Sequence, residues 1–297
     1  MPALSGFIDL HSHTNESDGT LTPLELITLA RTIGLDALAI TDHDTFAGYD
    51  LARPIADRHG FDLIRGIELN TRFVLENGET RSPHLLAYFP GRDPSPGFMA
   101  WLKKAQTDRR TRNNRLADAL AARGIEIGVS EVEALGRSLA GRPHFARLLV
   151  EKGYASDFGD AFRRYLGESA PTYVERESHS TVEAIQTVRA AGGVPVIAHP
   201  IRLSLDIADE RKALADFTDA GLLGLEVFHS EHSPELQVHY RRIADELGLI
   251  PTGGSDFHGA VKPKVALGTG INDNIRVPRE FLDHMRLVSG RLDHSGG

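Results

Sequence analysis

The chain has 297 residues, 41% hydrophobic and 25% charged, enough for one α/β barrel of roughly 250 residues plus an addition, and too apolar for a disordered chain. It contains no cysteine, which excludes disulfides, thiolate metal ligands and cysteine nucleophiles, and its formal charge of -8 argues against a broad basic surface for duplex nucleic acid. No apolar run is long enough to cross a bilayer and MPALSGFIDL lacks the features of a signal peptide, so the expected location is cytoplasmic.

In chain order, the first apolar run is Phe7 to Ser12, followed by a helix announced by Thr22, Pro23 and Glu25, a capping box with proline at the first helical position, and closed by Gly34. Further strands are expected at Ala37 to Thr41, Asp62 to Glu68 and His84 to Phe89. From Gly97 to Ala170 the rhythm breaks. No strand is convincing there, a helix is expected near Phe98 to Arg123, and Ser130 with Glu133 reads as a capping box. Alternation resumes with a helix after Ser180 and Glu183, then strands at Val194 to Ala198, Leu223 to Phe228 and Leu249 to Gly254. The tail from about Ser289 reads as loose. The pattern predicts an α/β fold, a barrel of seven strands lacking one unit, formed by 1–96 and 171–288, with 97–170 as a helical insertion serving as substrate lid.

His11 and His13 stand two apart at the end of the first strand, where a period of two turns both to one side. Asp18 follows in a polar loop. Other strands also end in nitrogen or oxygen donors: His43 in ITDHDT, Glu68 in RGIELN, His199 in VIAHP, and Asp256 with His258 in GGSDFHG. In a parallel barrel those ends share one mouth, so donors far apart in sequence converge there. His84 opens its strand instead of ending it, and strand logic does not place it. Nine donors are too many for one four-coordinate ion and suit two or three ions sharing a carboxylate, with Glu68 as the bridge. The remaining His59, His239, His284 and His294 read as ordinary hydrogen-bonded or solvated side chains.

DLHSHT with Asp18, then TDHD, AHP and SDFH resemble, in order, the four motifs of the polymerase and histidinol phosphatase (PHP) phosphoesterases. The AGRPHFARLLVEKG, AFRRYLGESAPTYV and AGGVPVIAHP stretches look like the bacterial subgroup of nucleoside 3',5'-bisphosphate phosphatases and related 5'-3' exoribonucleases. The resemblance covers nearly the whole length. It implies a distorted (β/α)7 barrel with a trinuclear site, most often of manganese, with zinc or iron as alternatives. On matching positions, His11, His13, Glu68 and Asp256 would hold one ion, Glu68, His84 and His199 a second, and Asp18, His43 and His258 a third. Donors without sulfur agree with any of these metals and do not choose among them.

Phosphate esters repel nucleophiles, so a catalyst must make hydroxide near neutral pH and neutralise the phosphoryl oxygens, and clustered divalent cations meet both needs. Asp256, His199 and His229 are the candidate catalytic residues, and Arg142, His144 and Arg202 the candidate substrate-binding ones, with Lys262 and Lys264 weaker. The basic run Lys103, Lys104, Arg109, Arg110, Arg112 and Arg115 reads first as a solvated helix face, and Trp101 and Tyr154 as core. The expected activity is removal of the 3'-phosphate from a nucleoside 3',5'-bisphosphate, extending to 5'-3' exonuclease action on short RNA 5' ends, with no membrane and no obligate protein partner. The alternatives are a sugar or histidinol-type phosphatase and, from another class, a non-catalytic metal-stabilised module docking on a polymerase.

Overall fold

Short apolar runs that alternate with amphipathic helices must cover both faces of each strand, and strands pairing around a closed interior with helices outside satisfy that need. The computed structural model describes residues 6–137, 139–175 and 179–292. Its main sheet takes β1 (Phe7–Asp9), β2 (Ala37–Ile40), β3 (Asp62–Asn70), β6 (His84–Tyr88), β7 (Val194–Ile197), β8 (Gly224–His229), β9 (Ile250–Gly254) and β10 (Val277–Pro278). A separate hairpin, β4 (Phe73–Val74) and β5 (Thr80–Arg81), lies between β3 and β6 in the chain. The strand order is β10-β1-β2-β3-β6-β7-β8-β9, a nearly closed barrel. At one end β10 flanks β1, and at the other Leu10 N donates to Gly253 O (3.1 Å) and Asp256 N to His11 O (2.9 Å), joining the two edges.

All seven predicted strands form, within a few residues of the expected ends. One runs the other way: β6 is antiparallel to both β3 and β7, whereas the remaining barrel neighbours from β1 to β3 and from β7 to β9 are parallel. The barrel is therefore not all-parallel, and a reversed strand puts its first residue at the mouth. That is why His84, paired with Asn70 at the far end of β3, joins donors that end their own strands.

Helices α1 (Pro23–Thr32), α2 (Ala47–Arg58), α7 (Thr181–Ala190), α8 (Ile207–Asp219) and α9 (Pro234–Leu247) surround the sheet. The Thr22 box forms as expected, with Thr22 N donating to Glu25 Oε2 (2.8 Å) and Glu25 N to Thr22 Oγ1 (3.2 Å). At Ser180 only half forms: its hydroxyl accepts from Glu183 N, but the Glu183 carboxylate is taken by Trp101 Nε1 (2.9 Å) and His179 Nδ1 (2.7 Å). Helix α10 (Glu280–Leu292) sends Phe281, Leu282 and Met285 among Ile8, Leu86, Val196 and Ile250, closing the barrel's bottom with apolar side chains. Residues 289–292, expected to be loose, continue this helix, and Arg92 donates to the carbonyl of Ser289 (3.2 Å).

Between β6 and α7 the chain is helical, with α3 (Pro96–Ala121), α4 (Val129–Leu135), α5 (Arg142–Glu151) and α6 (Phe158–Ala161). Leu116, Leu120, Val132, Phe145, Leu149 and Leu166 pack into a cluster separate from the barrel interior. The cap of α4 falls two residues before the expected Ser130, because Gly128 N donates to Glu131 Oε2 (2.9 Å) and Lys152 pins the same carboxylate.

Candidate metal centre and adjoining cavity

Two donor atoms that each sit about 2.1 Å from an ion at octahedral to tetrahedral angles lie about 3.0–3.4 Å apart, so such a spacing without a hydrogen bond is what an ion site looks like. His11 Nε2, His13 Nε2 and His43 Nδ1 are buried without a hydrogen-bond partner, and they stand 3.3, 3.1 and 3.2 Å from one oxygen, Glu68 Oε2. Asp256 Oδ1 lies 3.5 Å from His11 Nε2 and 3.4 Å from His13 Nε2. The other Glu68 oxygen faces His84 Nδ1 (2.7 Å) and His199 Nε2 (2.9 Å). Asp18 gathers His13, His43 and His258 at 3.6, 3.6 and 3.4 Å.

Eight of the nine expected donors fall into three overlapping groups able to hold a cation: His11, His13, Glu68 and Asp256; His43, Glu68 and His84; and His13, Asp18, His43 and His258. The first group is the expected set. The other two differ from the expected sets: His43 stands where His199 was expected beside Glu68 and His84, His13 joins Asp18, His43 and His258, and His199 lies outside all three groups while still meeting the Glu68 oxygen that His84 approaches. Sulfur-free donors, orphaned nitrogens and ligand-like spacings fit divalent ions.

The groups behind the donors fix which nitrogen faces inward. His11 Nδ1 contacts Glu226 Oε1 (2.9 Å) and His258 Nδ1 contacts the Asp256 carbonyl (2.8 Å), so each ring keeps Nε2 as the lone-pair nitrogen. Glu226 also accepts from His199 N (2.6 Å). Sequence reasoning passed over Glu226, and its signal was a carboxylate inside the apolar strand GLEVFH. Asp42 accepts from Thr14 N, Thr14 Oγ1 and Ser17 Oγ at 2.6–2.7 Å, holding the loop that carries His13 and Asp18. Asp44, His199 and Asp256 adopt left-handed backbone conformations, with φ of 52°, 27° and 55°. Strain of this kind persists where the surroundings over-determine it, and here it sits at the strand ends of the mouth.

Burial drives the His43 imidazole down to about 3, against the pull of Glu68 and Asp18. For His13 burial acts in the same direction, but Asp256 and Glu68 outweigh it and raise the ring to about 9. Burial pushes the Asp256 carboxyl up, and Lys262, His11 and His258 more than reverse this, holding it well below the usual range. Lys262 Nζ lies 2.6 Å from Asp256 Oδ2.

A cavity of about 360 Å³ opens beside the cluster. Asp18, His43 and His84 form one wall, and Arg109, Arg112, Arg142 and His144 from the helical segment form the other. Arg142 donates to Leu166 O (3.2 Å) and lies over the Phe162 ring. His144 is buried, and its Nδ1 accepts from Gly141 N (3.1 Å) at the start of α5. Burial lowers its pKa, which keeps the ring neutral. Arg202 lies outside this cavity's lining, bidentate to Glu231 at 2.7 and 2.9 Å and 3.2 Å from Asp256 Oδ2. His229 Nε2 stands 3.4 Å from Asp256 Oδ2.

The basic run on α3 divides. Lys103, Lys104, Arg110 and Arg115 are exposed, as a solvated face requires, with Lys104 on Asp108 and Arg110 3.8 Å from Glu133. Arg109 and Arg112 are buried on the face shared with Leu102, Ala105 and Leu116. Of the histidines set aside, His239 pairs with Glu210 (2.7 Å), His59 and His284 are exposed, and His294 lies outside the described residues. Trp101 is half-buried against the core through Phe98.

Residues 9–171 match the model of the PHP domain. The chain belongs to the PHP family. It is 36% identical over 250 residues to a 5'-3' exoribonuclease of Haemophilus influenzae, covering 84% of this chain and 89% of that one. To a 3',5'-nucleoside bisphosphate phosphatase of Chromobacterium violaceum it is 34% identical over 254 residues, covering 84% and 87%. A Bifidobacterium adolescentis structure described, provisionally, as a metal-dependent phosphoesterase superposes with a TM-score of 0.81 at 32% identity, over 97% of this PHP chain and 98% of that one. Among the described residues no helix is long and apolar enough to cross a membrane.

Proposed function

We propose that this PHP protein is a phosphomonoesterase that hydrolyses the 3'-phosphate of nucleoside 3',5'-bisphosphates to give 5'-nucleotides, using up to three divalent ions, manganese foremost with zinc or iron as alternatives. The observation that carries the reading is the set of three unpartnered imidazole nitrogens around one Glu68 oxygen, next to a cavity whose opposite wall is cationic. His11, His13, Asp18, His43, Glu68, His84, His199, Asp256 and His258 would hold the ions. When bound, such ions supply Lewis acidity, making water acidic near neutral pH and offsetting the charge of phosphoryl oxygens.

The protein's own residues do the rest. Arg142 and Arg112 offer guanidinium donors to the phosphate that is not cleaved. His229 accepts Glu231 N–H at Nδ1 (3.1 Å), which leaves its proton on Nε2, facing Asp256. We assign it, with Asp256 and His199, to the handling of protons at the leaving alkoxide. Arg202, tied to Glu231 and Asp256, steadies the outer rim. The segment 97–170 acts as the substrate lid over the barrel built from 1–96 and 171–288. A second reading, exonuclease action on short RNA, is favoured by the name of the Haemophilus relative.

Phosphate release with added manganese tests the proposal. Adenosine 3',5'-bisphosphate is expected to be cleaved faster than histidinol phosphate, with short 5'-phosphorylated RNA also attacked, by protein carrying about three ions per chain. Preference for histidinol phosphate would move the assignment to that class. Inertness toward all three, or no metal uptake, would sink it in favour of a docking module.

A further inference from the structure

Asp44, the second aspartate of TDHD, is not among the cavity-lining residues, yet it is 1% exposed and every polar group it owns is engaged. Its N–H donates to Glu68 O (3.0 Å), and its carbonyl accepts from Gln106 Nε2 (2.9 Å) of α3. One carboxylate oxygen accepts from Asn70 N (3.1 Å), and the other accepts from Asn70 Nδ2 (3.2 Å) and the Arg109 guanidinium (2.5 Å). It thereby joins the turn that carries His43, the strand that carries Glu68 and the helix that carries Arg109.

A buried ion pair is a poor way to gain stability, because desolvation roughly cancels the attraction, and here the pair is kept on a residue in a strained left-handed conformation. What it achieves is orientation. With one terminal nitrogen spent on Asp44, the planar guanidinium of Arg109 is fixed in rotation. Its Nε–H is buried without a partner, and Arg109 lines the cavity. The other terminal nitrogen lies so close to Gly141, where α5 begins, that a Cβ there would fall 2.7 Å from it and press on the guanidinium.

We propose that Asp44 is a positioning residue for substrate choice: by fixing Arg109 it presents an unspent guanidinium edge to the phosphate that is not cleaved, and so favours a bisphosphate over a monophosphate. This rests on the phosphatase reading above. The test compares kcat and KM of the manganese-loaded wild type and Asp44→Asn on adenosine 3',5'-bisphosphate and adenosine 3'-monophosphate. The expected result is an about tenfold fall in the ratio of kcat/KM for the bisphosphate to that for the monophosphate, carried mainly by KM, with bound metal retained. Equal losses on both substrates, or loss of metal, would mean a structural role and overturn the proposal.

Arg109→Lys keeps the charge but lacks the rigid fork, so it should lose the same discrimination, and it decides the matter if Asp44→Asn does not fold. Full discrimination in Arg109→Lys overturns the proposal. If the wild type cleaves neither nucleotide, the phosphatase reading fails, and the inference is judged by equilibrium binding of adenosine 5'-monophosphate. About tenfold weaker binding by Asp44→Asn supports it, and equal affinity, or no binding by the wild type, overturns it.

Discussion

The two walls of the cavity are built on opposite principles. The barrel wall is made of strand ends and the loops that follow them, with donors mostly buried, spaced as metal ligands are, and braced from behind by Glu226, Asp42 and the Asp256 carbonyl. The helical wall carries the positive charge itself, on Arg109, Arg112 and Arg142. Strand ends fix donors to the tolerance that ion binding demands, whereas long arginine side chains on helices reach over a gap and need a partner, as Arg109 has in Asp44, to be held in one orientation. On the proposed function, reaction type would belong to the first wall and choice of substrate to the second.

That division is open to attack, most severely at Glu68. Glu68→Gln removes the charge that three imidazoles and two further histidines surround, and kcat is expected to fall by on the order of 10³ or more on every phosphate ester, together with bound metal, as read by turnover and elemental analysis. Survival of activity would dissolve the distinction at once. Arg142→Ala strikes the other wall. It is expected to raise KM for adenosine 3',5'-bisphosphate about tenfold while metal content stays at the wild-type level, and a loss of metal instead would tie the two walls together.

The smallest effect is expected far from both, at the bottom of the barrel. There Asp62 accepts from Arg279 (2.7 Å) and Arg286 (2.6 Å), pinning α10 to the start of β3. Partial burial pushes the Asp62 carboxyl up and the two arginines pull it further down, to below its ordinary value. A depressed carboxylate stabilises the fold above its unfolded pKa and loses that contribution as pH falls through the folded one. Asp62→Asn is therefore expected to cost about 0.5–1 kcal/mol at pH 7 and nothing in strong acid, measured by denaturant unfolding, with phosphatase kinetics unmoved.

Much of this architecture was legible in the chain. Short apolar runs and capping boxes pointed to the seven strands and their helices, and donors at strand ends pointed to the cluster, because a barrel mouth gathers what each strand delivers last. His84 was legible only by family likeness, since nothing in SPHLLAYF tells that β6 runs backwards. Glu226 hid because a single acid in an apolar strand has no partner in sequence. Arg109 and Arg112 hid among the lysines and arginines of α3. Their signal was position: they interrupt the buried stripe of Phe98, Leu102, Ala105, Leu116 and Leu120, where a charge needs a reason to be.

The reversal of β6 has a further reach. A strand that starts at the mouth delivers the chain to the barrel's floor, and the chain must travel back before it can take part in chemistry. Helix α3 makes that climb, from Phe98 packed beside Phe89 to Arg109 beside Asp44, a rise of about 20 Å over the residues from Pro96 to Arg109. The flip of one strand thus sets the length of a strut, and the strut sets where Arg109 and Arg112 stand in the cavity wall. Deleting four residues from the first half of α3 would lower its arginines by about 6 Å, away from Asp44 and out of the cavity wall they now form.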